Sequence, residues 1–485
     1  MMKGILKSRL FRYGSLATLI TVLAIFFVVI LNVALTLLFK KFPLRLDLTR
    51  EQMFQLSQDT EDFLARLDTD IEVTILNTEE GFTSSGPVEY FVQAHEMITR
   101  YAQHSPHVRI SYVDLIRNPD FASRYPDLSP KVNDILVTAG GKSRLVASAD
   151  LFNIQTSYYG SQVISSKAEQ TMTSVMLTLT SGEKTFVSMI TNHGEEAIGA
   201  FTDLFTMNGY EFSNLNLLTQ EIPPEVSLVI LAAPLRDVEE TELQKLEAFL
   251  SGGDNRTLFY LTSAAQPALP LLESFLAEWG IGVEEGAAFE TDTSRLLNSM
   301  AYISFAEYAE DAYSKSAAEK GLLPVIAQAK PLKVLFEQSR YRTVTLLLRL
   351  SPDSGVRPAG TDADWQPSRA DITGNVPVML LSSSVRNGLS GALEQTNVLV
   401  SGSILSLNQS LLGSPNFANS GYLLDLLGSL AGRERSLWIQ SKAIRYAQLG
   451  VTLGQIIIIA LVFMALLPLG TLVSGIVVWL RRRHR

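Results

Sequence analysis

Histidine is scarce in this chain, five residues in 485, and His193 is the one placed where chemistry could be done. The apolar run KTFVSMIT at Lys184–Thr191 reads as a strand that leads straight into Asn192-His193-Gly194-Glu195-Glu196. The carboxyl end of a strand is where open α/β sheets place their ligands. A histidine beside a carboxylate can move a proton, and a glycine between them lets a ligand approach the backbone. Asn192, His193, Gly194 and Glu195 are therefore the ligand-binding candidates. The same residues have a structural account, in which Gly194 makes the turn and Glu195 and Glu196 favour the amino end of the next helix. Both accounts stand at this level. No nucleophile adjoins the histidine, so no catalytic residue is assigned.

Other chemistries are excluded or weakly supported. The chain has no cysteine, which removes thiol nucleophiles, thiolate metal sites, iron–sulfur clusters and disulfides together. GGKSR at Gly140–Arg144 lacks the leading glycine of a phosphate loop and reads as a hairpin turn. GIGVEEG at Gly280–Gly286 has the wrong spacing for dinucleotide binding, and neither H-E-x-x-H nor G-x-S-x-G occurs. His95, His104 and His107 are close in sequence, but two of them fall near a helix end, where exposed histidine is ordinary. No metal and no cofactor are expected.

The elements that position His193 form the most regular part of the chain. A strand at 184–191, a helix at 195–208 closed by Gly209, an all-apolar strand SLVILAAP at 227–234, a helix at 238–253 and a strand TLFYLTS at 257–263 alternate with short loops. This pattern predicts a doubly wound α/β domain over 182–300. A first α/β domain at 71–181 precedes it, with strands at 71–76, 108–115 and 134–140 and a helix near 88–102. The segment 301–446, with a polar insertion at 351–371, is expected to complete the body through strands at 376–384 and 396–403 and a helix at 421–430.

Both ends are apolar. Residues 16–39 carry no charge and would make a helix about 36 Å long against a hydrocarbon core of about 30 Å. Residues 447–480 form a second uncharged stretch, interrupted by Pro468, Gly470 and Gly475. They are expected to be transmembrane helices flanking the α/β ectodomain. The tails 1–15 and 481–485 are basic, which places both termini in the cytoplasm and the body outside a bacterial cytoplasmic membrane. The formal net charge of −9 is more negative still without those tails, and it argues against nucleic acid as a partner. Between span and body, residues 40–70 form a neck. There Thr49 with Gln52 fits a capping box, Ser57 fits an N-cap, and Phe63, Leu64 and Leu67 share one helix face.

Asp47–Thr60, DLTREQMFQLSQDT, is similar to the D-L-T…Y-T-L-S…T signature of the GldG-like family, auxiliary components of ABC-type transport systems associated with gliding motility. NHGEE resembles that family's G-H-G-E. IPPEVSLVILAAP at Ile222–Pro234, GGDNRTLFYL at Gly252–Leu261 and the segment Ala418–Lys442 resemble further family stretches in the same order. Phe54-Gln55 stands where the family has Tyr-Thr, Asn192 where it has glycine, and Gly428-Ser429 where Asn-Trp is common. The resemblance implies a glutamine-amidotransferase-like, flavodoxin-related middle domain, whose nucleophilic cysteine this chain cannot supply. It also implies a non-enzymatic, membrane-anchored, substrate-binding or scaffold-like subunit beside an ABC permease and, through it, a cytoplasmic ATPase. Homo-oligomerisation is left open. The coupling neck would comprise Asp47, Leu48, Thr49, Leu56, Ser57, Thr60, Phe63 and Leu67. Two alternatives remain: a free-standing extracytoplasmic ligand receptor and, less favoured, an exported hydrolase.

Overall fold

The computed structural model describes residues 54–157, 160–181, 184–310, 312–362, 365–387, 393–433, 439, 442 and 467–483, with part of a helix within 22–33. Met1–Gln55 form one unit and Leu56–Arg485 another. Among the described residues no helix is long and apolar enough to cross a membrane. The expected spans fall mostly outside the described residues, as do both basic tails in large part and Asp47, Leu48 and Thr49. The two-span arrangement is therefore carried by sequence alone.

The first α/β domain opens on α1 (Gln58–Ala65), where Ser57 Oγ accepts from Thr60 N at 3.4 Å as an N-cap. Its mixed sheet has the order β2-β1-β3-β4, from β1 (Ile71–Ile75), β2 (Val108–Tyr112), β3 (Ile135–Ala139) and β4 (Lys142–Val146). The β3–β4 turn is Gly140-Gly141, both with positive φ (54° and 77°), so GGKSR is the expected hairpin and not a phosphate loop. On one face lie α2 (Val88–His104) and α3 (Ala168–Ser181). Helix α2 buries Phe91, Ala94, Ile98 and Tyr101, spaced for a single helical stripe. Leu56, Phe63, Leu64 and Leu67 of the neck enter the same core. A hairpin, β5 (Phe152–Ser157) and β6 (Gly160–Ser166), precedes α3.

The central sheet has eight strands. Five are parallel: β7 (Thr185–Ile190), β8 (Tyr210–Leu215), β9 (Val226–Ala232), β10 (Arg256–Leu261) and, much later, β14 (Leu393–Ser401). Three antiparallel strands extend it: β11 (Glu307–Tyr308), β12 (Arg342–Arg349) and β13 (Pro377–Asn387). The order is β11-β12-β13-β14-β10-β9-β7-β8. Residues 182–300 and 301–446 therefore share one sheet, and the expected boundary at residue 300 falls inside it. β12 was missed in the sequence because its face alternation is blurred by bulges around Leu348.

Side chains alternate across this sheet with period two. Leu228, Ile230, Phe259, Leu261 and Leu399 face α4 (Gly199–Met207) and α7 (Asn419–Leu430). Val229, Leu231, Leu258, Tyr260, Val398 and Val400 face α5 (Glu240–Ser251) and α6 (Pro270–Glu278). Helices on both faces explain why β9 reads as unbroken apolar sequence: neither side meets water. The last described helix is α8 (Leu467–Arg483).

Candidate functional site

The chain runs from β7 to β8 on one side, then returns past β7 to β9, β10 and β14. The sheet thus reverses direction between β7 and β9, and doubly wound proteins place ligands at the carboxyl ends of such a pair. His193 follows β7 at that point. Asn192 and Gly194, either side of it, both adopt positive φ (94° and 79°). Asparagine tolerates this conformation better than other residues with a side chain, so Asn192 holds a turn that otherwise favours glycine. A Cβ on Gly194 would sit 3.3 Å from Leu235 Cβ.

The turn is held closed. Leu235 N and Arg236 N, just after β9, donate to His193 O at 2.9 and 3.0 Å, and the Arg236 guanidinium donates to Asn192 O. His193 N donates to both carboxylate oxygens of Glu195 at 3.0 Å. The imidazole is only 4 % exposed and bridges two carboxylates: Nδ1 lies 3.1 Å from Glu195 Oε1, and Nε2 lies 3.0 Å from Glu242 Oε2. An ionised carboxylate accepts and does not donate, so both contacts are hydrogen bonds only when each ring nitrogen carries a proton. Glu242 is fully buried in the first turn of α5, and its Oε2 also accepts from Glu239 N at 2.8 Å, closing the helix start.

Asn192, His193, Gly194 and Glu195 are thus brought together as expected, in a plugged crevice. A ligand reaching the ring has to displace a carboxylate. Gly194 makes the turn, as the structural account has it, while Glu195 binds its own histidine instead of serving the helix start. The expected helix start at Glu195 moves to Gly199, because Glu195 turns back to its own histidine. Glu242 was visible in sequence only as a first-turn acid and carried no sign of its partner 49 residues away.

The described part of the neck forms a second polar constellation. Ser57 N donates to Glu169 Oε1 at 2.6 Å, and Thr60 Oγ1 lies 3.3 Å from Thr173 Oγ1, both partners being on α3. Tyr101 Oη donates to Glu169 O at 2.9 Å and lies 2.5 Å from Thr173 Oγ1; burial raises its phenol far above the ordinary range. From the other end of the chain Lys442 reaches the same carboxylate, Nζ to Glu169 Oε2 at 2.8 Å. Its backbone pairs with Ser166, N to O at 2.8 Å in each direction. The segments entering and leaving the body therefore meet on one buried glutamate.

The other described histidines diverge. His95 Nε2 lies 2.7 Å from Tyr112 Oη, His104 Nδ1 2.9 Å from Arg100 O, and His107 Nδ1 2.8 Å from Asp70 Oδ1. No group of three or more metal-binding side chains occurs among the described residues.

Residues 50–153 match a family described as a domain of unknown function, DUF7088. No curated protein matches the chain. Among solved structures, the mmIFT52 N-terminal domain overlaps with a TM-score of 0.38 at 14 % identity, over 52 % of this chain and all of that one. A glutamine amidotransferase from Thermotoga maritima overlaps with a TM-score of 0.29 at 12 % identity, over 51 % of this chain and 99 % of that one. A ThuA-like protein from Parabacteroides merdae gives 0.30 at 11 %, over 54 % and 98 %. The mixed α/β description rests on this chain's own strand order.

Proposed function

We propose that this chain is a non-enzymatic auxiliary subunit of an ABC transporter, anchored by residues 16–39 and 447–480 and presenting its α/β body outside the membrane. A separate permease and, through it, a cytoplasmic ATPase complete the assembly. The observation that carries the reading is the meeting of Ser57 and Lys442 on Glu169. Motion in a membrane partner reaches the body through these two segments alone, and a shared buried ion pair makes them one mechanical unit. The closed His193 bridge weighs against the free-standing receptor. The absence of cysteine excludes an amidotransferase nucleophile by chemistry.

Affinity purification of the full chain in mild detergent tests this directly. A multi-span chain and a nucleotide-binding chain are expected to co-purify. Phe63→Pro or Leu67→Pro is expected to abolish transport while leaving membrane insertion intact; full transport in both would contradict the coupling role of the neck.

A further inference from the structure

At the far end of α5 from Glu242 lies an open cavity of about 430 Å³, within the size range of small-molecule sites. Its wall carries Arg340, Arg342 and Arg386, with Trp279, Tyr341 and Glu247. Two of the arginines have partial structural duties. Arg386 Nη2 donates to Leu250 O at 2.6 Å, at the carboxyl end of α5, and Arg342 Nη1 donates to Glu278 O at 2.5 Å, at the carboxyl end of α6. These duties leave much of the donor capacity unused. Arg386 Nε is buried with no partner, and so is the Nε1 of Trp279, a residue 2 % exposed. Arg342 Nη2 is 3.7 Å from Glu247, too long for a hydrogen bond. Arg340 makes no ion pair among the described residues and lies 6.0 Å from the ring centroid of the exposed Tyr341. Both of these nitrogens are closed to solvent, so the cavity is served by the remaining guanidinium nitrogens of the three arginines.

We infer that this cavity binds a small organic anion, its carboxylate or phosphate received by the forks of Arg340, Arg342 and Arg386. Guanidinium groups suit either headgroup because their parallel N–H bonds match its paired oxygens. Arg342 is held in place by stacking 4.2 Å over the Trp279 ring, so little side-chain freedom is lost on binding.

Calorimetric titration of the full-length chain with malate and, separately, glycerol 3-phosphate tests the inference and identifies the headgroup. Saturable binding of at least one is expected. Arg386→Ala and Arg340→Ala should each weaken it about tenfold, the loss of one charge-assisted pair. Arg340 is exposed and holds no helix end, so its variant keeps the fold even if Arg386→Ala does not. Absence of saturable binding of both probes would overturn the site, as would an affinity in folded Arg340→Ala within about twofold of the parent.

Discussion

Helix α5 joins two polar regions that differ in one respect. At its amino end, His193, Glu195 and Glu242 fill the crevice where a doubly wound sheet ordinarily admits a ligand, and both ring nitrogens are engaged. At its carboxyl end, the arginine cavity is open and its wall carries three guanidinium groups. The lesson is that sequence motif and site separate here. The residues whose types suggest chemistry bridge one another, whereas arginines that hold two helix ends line the open cavity.

The comparison is broken most forcefully at the closed end. His193→Ala leaves the buried Glu242 carboxyl without its imidazole partner and should lower stability by about 3 kcal/mol, measured by denaturant unfolding. A change below about 1 kcal/mol would show that the bridge is not bracing. Glu169→Ala comes next: it removes the acceptor shared by Ser57 N and Lys442 and should cost about 2 kcal/mol. The accompanying sign is faster amide exchange at residues 54–60; unchanged exchange there would separate the neck from the carboxylate.

A smaller effect is expected at Asp425 on α7. Burial, opposed by Lys320 and reinforced by Asp59, pushes its carboxyl from 3.8 up to about 7. The folded chain then holds a proton that the unfolded chain releases from about pH 4, so this group makes stability fall as pH rises from 4 to 7 and level off above. Asp425→Asn should flatten that fall and add about 1 kcal/mol at neutral pH, seen as melting temperature against pH. A parallel curve would refute it. The smallest effect is at the open end, where Arg340→Ala should alter stability by less than about 0.5 kcal/mol while weakening anion binding.

Much of the scaffold was legible. Strand β9 and helix α5 fall within two residues of expectation, because apolar runs and helix-start acids are local signals. β12 was not, because bulges around Leu348 blur its alternation, nor was the union of β14 with β10, since pairing across more than a hundred residues leaves no local trace. The turn at Asn192–Glu195 was found from residue types, but its role depended on Glu242, which only the fold brings near. Likewise Ser57 was readable as an N-cap, whereas its backbone bond to Glu169 was not. Asp47, Leu48 and Thr49 lie outside the described residues, so the neck is accounted for only from Leu56 onward.

The central claim, a body without its own engine coupled to a membrane partner, is tested most directly by detergent co-purification of the native full-length chain. The account predicts that a permease and an ATPase come with it and that nucleotide hydrolysis resides in the latter. A chain that purifies alone, or that hydrolyses nucleotide by itself, would contradict it.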